Sequence, residues 1–332
     1  MKGVKTMEAA GADQRNSHQI SEVDKIGLYL EELNTLKKGA QAVTKLIACG
    51  RPAVEPLLRQ FLLFGKPGIV YYSRRWAVEA LAGLGAREVL LEYLAQKKEI
   101  ADPPIRLSEE VVESAAAREL KRWPSEEVVQ VLLEIAQQRC LTGVLETLGE
   151  FKRAEAIPFL VKALEDDVCR NAAEEGLRKM GLPAKLELIK AATTPRPSRD
   201  AEAPASLLRR LSSVRLLAEM WVSPYEWQSL RPLLNEADPE ILIALFKIAE
   251  AAAGAKDRAL AFRLLMEVIE NADWYIKSEI ETVLAGCLNT IGSLVEEEIS
   301  HRFQGCGRKA TSDPVLATLL RVKHRVEQGE SA

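Results

Sequence analysis

Histidine is nearly missing from this chain: His18, His301 and His324 are the three in 332 residues. None stands in a His-Glu, H-E-x-x-H or H-x-x-x-H pattern, so the common zinc spacings are excluded. No G-x-S-x-G turn offers a nucleophile for a histidine to activate. Cysteines are few and odd in number: Cys49, Cys140, Cys169, Cys287 and Cys306. With no C-x-x-C pair among them, a disulfide framework or zinc knuckle is not expected, and they read as small buried residues of a reducing compartment. Aromatics make up only 5%. The 19 glycines and 15 prolines are too few for a chain of many short strands and turns. No excess of one charge exists either: 45 Lys and Arg face 48 Asp and Glu, for a net charge of −3. That balance does not suit a protein whose main task is to coat nucleic acid or an anionic membrane. No uninterrupted apolar run reaches the length of a membrane-spanning helix, and the first residues lack the apolar core of a secretory signal. The expectation is a cytoplasmic protein with residues 1–20 as a mobile tail.

What the chain has is a repeat. Ala77, Ala80, Leu81 and Leu84 precede Gly85 at i, i+3, i+4 and i+7, one helix face ending where a C-cap glycine belongs. The same frame precedes Gly149 (Leu141, Val144, Leu145, Leu148), Gly181 (Ala173, Gly176, Leu177, Met180) and Gly292 (Leu284, Cys287, Leu288, Ile291). Weaker copies end at Gly50, Pro124, Val222 and Gly254. The eight markers follow one another about 35 residues apart, the period of a helical repeat. A second apolar segment follows each well-formed marker, with Pro52, Pro56, Pro158 and Pro183 read as helix starts, where a missing amide costs nothing. One such helix pair cannot bury both apolar faces alone, whereas stacked pairs share a continuous core. The predicted fold is all-α, a right-handed α-solenoid (alpha-alpha superhelix) of about eight helical pairs.

The stretch Asp166-Asp167-Val168-Cys169-Arg170-Asn171-Ala172-Ala173, then Leu177 and Met180-Gly181, resembles the HEAT repeat, in particular the short bacterial form also found in phycobilisome lyase subunits. Arg74-Arg75-Trp76-Ala77-Val78, then Ala80-Leu81 and Leu84-Gly85, is a second copy. Arg74 and Arg170 each lie eleven residues before their glycine. The resemblance implies that this arginine pairs with a nearby acidic side chain or a neighbouring repeat. It covers residues 22–305, closely over 70–192 and loosely after 205. HEAT-type hydroxylases carry iron on His-Glu pairs; with none here, that activity is excluded.

The expected organisation is a repeat block over 21–192, a Pro-rich linker or loop over 193–204, a degenerate block over 205–304 and a capping helix over 313–328. A second loop is expected at 97–107, around Pro103-Pro104, with Ser108, Glu109 and Glu110 opening the next helix. Gly83-Leu84-Gly85 and Gly65-Lys66-Pro67-Gly68 read as turns, not phosphate loops. Asp166-Asp167 and Glu296-Glu297-Glu298 read as solvated charge runs. The basic residues of 301–327 read as a polar cap on the last repeat.

With no catalytic constellation and no cofactor signature, the favoured function is non-enzymatic: a scaffold or adaptor that binds another protein. The expected contact residues are polar positions on the second helices, Arg51, Glu55, Arg59, Glu88, Glu92, Gln130, Glu134 and Gln137. Tyr225, Trp227 and Trp274, close to helix starts, are candidate aromatic anchors. Trp123 and Trp221 occupy the last apolar position of the repeat and are expected in the core. Two alternatives stand beside this reading. One is a bilin lyase or tetrapyrrole chaperone, implied by the repeat type. The other is nucleic-acid binding of the kind seen in HEAT-like DNA glycosylases, against which stand acidic second helices that offer no basic stripe to phosphates.

Overall fold

A computed structural model describes residues 22–96, 98–198, 201–236, 238–306 and 313–328. The expected tail at 1–20 lies outside them. Seventeen α-helices are present among the described residues, with one two-stranded ribbon. The chain is therefore all-α, as its repeat predicts. It divides into two compact units, 1–112 and 113–332.

In the first unit, α1 (Glu22–Glu32) precedes the pairs α2/α3 (Leu36–Cys49, Arg51–Phe64) and α4/α5 (Tyr72–Gly83, Arg87–Ala95). First helix packs on first helix (α2 on α4) and second on second (α3 on α5), the layering of a helical repeat. The apolar stripes meet between the layers: Leu46, Val54, Leu58, Leu81, Val89 and Leu90 are all buried. Helix α6 (Pro103–Glu119) starts here and ends in the second unit. Pro103 and Pro104 open this helix and are not part of a loop, because proline is tolerated in a first turn. Ser108 is consequently no N-cap; its hydroxyl donates to the Ile69 carbonyl at 2.7 Å.

The second unit continues with α7 (Glu126–Gln138), α8/α9 (Thr142–Phe151, Ile157–Ala163), α10/α11 (Arg170–Met180, Lys185–Thr193), α12/α13 (Pro204–Ala218, Pro224–Leu230), α14/α15 (Pro239–Ala252, Ala255–Asn271) and α16/α17 (Trp274–Cys306, Pro314–Glu327). First helices α8, α10, α12, α14 and α16 contact one another in serial order. Between α11 and α12, Pro197–Ser198 pairs antiparallel with Ala201–Glu202. Proline stands at the first position of α12, α13, α14 and α17, the last three behind Ser223, Asp238 and Asp313, whose side chains accept amides of the first turn.

The markers fall where the repeat places them, with two exceptions. Gly85 and Gly181 end their helices at φ +73° and +65°, conformations that strain any residue with a Cβ. Gly149, by contrast, is inside α8, and Lys152 supplies the left-handed cap at φ 52°. Gly149 is small for a different reason: a Cβ there would stand 2.5 Å from the Cα of Gly176 in α10. Gly292 lies in the middle of the 33-residue α16, which runs straight through the expected turn. Pro56 also departs from expectation, sitting inside α3 and not at its start.

Candidate interaction surface

The repeat arginine is the clearest link from sequence to packing. Arg74, near the start of α4, is buried and donates to the Phe61, Leu62 and Gly65 carbonyls at 2.9–3.2 Å, filling the open C-terminus of α3. Its other face grips Glu109 of α6 through two bonds of 2.8 and 3.0 Å. Glu109 also accepts from the Tyr93 hydroxyl at 2.7 Å and from Lys98 at 2.9 Å. Burial alone would push this carboxyl up; the bonds and charges of Arg74 and Lys98 outweigh it and hold the pKa below the usual range. Glu109 is thus no first-turn residue but the counter-charge of a buried cluster. Arg170 repeats the arrangement, donating to Leu164 O at the end of α9 and to Asp167. Arg210 of α12 does so again, with Ala192 O at the end of α11 and with Glu202 and Glu236. The sequence signals Arg74 and Arg170, whereas Arg210 is found only in the structure; in all three places the role is structural.

The polar residues expected to contact a partner turn out to hold one another. In the first unit Arg51 bonds both Glu55 in its own helix and Glu88 in α5, and Arg59 bonds Glu92 in α5. In the second unit Gln130 donates to Glu134 at 3.0 Å, with Gln137 exposed on the same helix. The first helices carry a matching series. Arg118 pairs with Glu146, Lys179 with Glu150, Arg178 with Glu219 and Arg215 with Glu240, each pair joining one repeat to the next. The Lys179 ammonium lowers the Glu150 pKa, and Glu219 raises that of Arg178. The basic C-terminal stretch is drawn inward in the same way: Arg302 binds Glu298, Glu270 and Asp313, Arg321 binds Glu281, and Lys323 binds Glu296.

The tryptophans separate in a way that helical periodicity does not anticipate. Trp227 is 1% exposed, and its indole N–H donates to Asp257 at 3.0 Å. It is a core residue and not a surface anchor. That bond, then Arg231, lowers the Asp257 pKa. Trp221, expected in the core, is 68% exposed because α12 stops at Ala218 and leaves it in the following turn. Tyr225 and Trp274 are 87% and 81% exposed, as anchors would be. Lys185 ties this surface together. Its ammonium lies 5.1 Å from the centre of the Trp221 ring and bonds Glu226, next to Tyr225, at 2.9 Å. Leu182 and the adjacent Leu186 are also exposed. Further along, a 340 Å³ groove crosses α12, α14 and α16, with Arg215, Glu219, Glu240, Lys247, Tyr275 and Glu279 among its walls. Tyr275 stacks edge-on against Trp274.

Two cysteines are also brought together against expectation. Cys140 and Cys169 form a disulfide, with Cα atoms 6.4 Å apart. Their separation of 29 residues is close to one repeat, so they occupy neighbouring turns, before α8 and before α10. No helix among the described residues is long and apolar enough to cross a membrane.

Residues 105–178 match the family model for HEAT repeats. No curated protein matches the chain. The matched segment runs through α6 to α10, and the arginine found there at Arg170 recurs outside it at Arg74 and Arg210, in the same structural position. Residues 105–178 of the chain are therefore similar to HEAT repeats.

Proposed function

We propose that the chain is a non-enzymatic scaffold that binds another protein through the aromatic side of its second unit. HEAT repeats are typical of protein-interaction scaffolds. The observation that carries the reading is the exposed set of Trp221, Tyr225, Leu182 and Leu186 around Lys185, with Trp274 as a further exposed aromatic. Large side chains left in water beside paired charges are costly to expose and gain on being covered. Tyrosine and tryptophan are the side chains that most often dominate interface energies. The ladder of ion pairs on the helices acts as a frame. Arg51, Glu55, Arg59, Glu88 and Glu92 engage one another, so a partner would have to break existing bonds to use them.

Charge pairing also tells against the nucleic-acid alternative, since the arginines of the first helices are already neutralised. The groove and a 610 Å³ pocket with Lys121, Glu126, Glu150 and Arg153, both in the second unit, have charged walls. A tetrapyrrole wants a mostly apolar pocket.

The test is affinity capture from native lysate with the full chain and with a Trp221→Ala/Tyr225→Ala/Trp274→Ala variant. A protein held by the parent and lost from the variant supports the reading. Recovery of a tightly bound small molecule and no protein overturns it.

A further inference from the structure

The turns before α8 and α10 place three donor groups together. The Cys140 and Cys169 sulfurs and a carboxylate oxygen of Asp166 all lie within 4.8 Å of one another. Cys169 is buried and stands at the N-cap of α10, an eleven-residue helix whose positive end favours a thiolate nearby. Asp166 is fixed by the backbone: one of its oxygens accepts the Val168 and Cys169 amides, each at 2.9 Å. Its second oxygen makes no protein hydrogen bond among the described residues. A 410 Å³ cavity borders the group and is lined by both Cys140 and Asp166, which gives water a way in.

We propose that these residues form a redox-gated site for a thiophilic divalent cation, with zinc as the natural fit. Two thiolates and a carboxylate are a donor set that zinc accepts in tetrahedral coordination, with cavity water as the fourth ligand. Zinc–sulfur bonds of about 2.3 Å place ligand atoms ~3.8 Å apart in a tetrahedron, inside the span these three groups occupy. The disulfide is the closed state. A small-molecule thiolate attacks the Cys140 sulfur, the more exposed of the two. A mixed disulfide forms there, the Cys140–Cys169 bond breaks, and Cys169 leaves as a thiolate at the helix N-terminus. A second small thiolate takes the outer sulfur of the mixed disulfide and releases Cys140. Two electrons have then passed to the protein, the two small thiols have become one disulfide, and both cysteines can bind the cation or take up protons. Oxidation reverses this and expels the metal. The site joins consecutive repeats, so its state governs how firmly those turns are held.

Cobalt(II) is the probe, added to metal-free full-length protein reduced with a trialkylphosphine. The expected result is one equivalent bound, with a thiolate-to-cobalt charge-transfer band and the visible bands of tetrahedral cobalt, displaced by zinc. The oxidised protein should show neither until the phosphine is added. A Cys140→Ser/Cys169→Ser variant, which keeps the other three cysteines, should lose the bands. Asp166→Asn should weaken binding by roughly tenfold or more, the scale set by disturbing a metal's supporting carboxylates. Circular dichroism of each variant checks that the helices persist. No charge-transfer band with the reduced parent, or an equal band with the double serine variant, overturns the proposal.

Discussion

Replacing Arg74 with methionine keeps most of its volume and removes every bond its guanidinium makes. Three carbonyls at the end of α3 lose their donor, and buried Glu109 loses two of the bonds that keep it charged. Removing one member of a buried pair typically costs about 3–5 kcal/mol, most of it from the charge left behind. Lys98 and Tyr93 still reach Glu109, so the lower end, about 3 kcal/mol, is expected for Arg74→Met. For a folding unit of this size that lowers Tm by ~10 °C. The assay is a double-mutant cycle by urea unfolding of the full chain, with Arg74→Met, Glu109→Leu and the two combined. The combined variant leaves neither the guanidinium nor the carboxylate behind without the other, so it should lose less than the two single losses added together, with a coupling of about 1–3 kcal/mol. Single costs under ~1 kcal/mol, the range of an exposed ion pair, would refute the view that this cluster anchors the first unit.

The same carboxyl sets an acid limit. Glu109 binds its proton more weakly when folded, so its stabilisation is present above the unfolded value of about 4.3 and is lost as pH falls through the lower folded value. Melts of the parent against Glu109→Gln should converge as pH drops through this window; a gap that stays constant would count against it. Gly149→Val must push α8 off α10 and should cost at least 1–3 kcal/mol, read as a lowered urea midpoint; an unchanged midpoint would mean the helices can part freely. The two contrasted tryptophans should respond in opposite ways. Trp227→Ala should cost about 3–5 kcal/mol, and Trp221→Ala should stay within about 0.5 kcal/mol while weakening partner capture. Equal thermal shifts for the two would contradict their burial.

Much of this fold is legible in the sequence because it is written in helical periodicity. The i, i+3, i+4, i+7 stripes locate the eight first helices, and seven of the eight markers stand at or close to a helix end. Gly292, far from either end of its helix, shows the limit of a one-residue marker. Glycine in a helix interior costs only about 1 kcal/mol relative to alanine, so α16 can simply run through it. The tryptophans show a second limit. Trp221 is exposed because α12 stops at Ala218, while Trp227 is buried on α13, and periodicity alone does not fix where those helices end and begin.

Contacts between repeats were missed for a different reason, and it suggests where to look. Helical periodicity compares a residue with others three or four away, while a stacked repeat presses it against one about a period away. Arg118–Glu146, Glu150–Lys179 and Cys140–Cys169 are separated by 28, 29 and 29 residues, Arg59–Glu92 by 33 and Arg74–Glu109 by 35. These separations lie at or somewhat below the marker spacing of about 35. Once the period is known, opposite charges or paired thiols one period apart become expected neighbours in the same way that i and i+4 are within a helix. The buried partner of Arg74 and the thiol pair could have been found by that comparison, although neither carries a local motif. Trp227 and Asp257, 30 residues apart and hydrogen-bonded, obey the same rule in the loosely matching half of the chain. There the stacking geometry has outlasted the sequence signature, because burial constrains which positions meet more tightly than it constrains which residue fills each one.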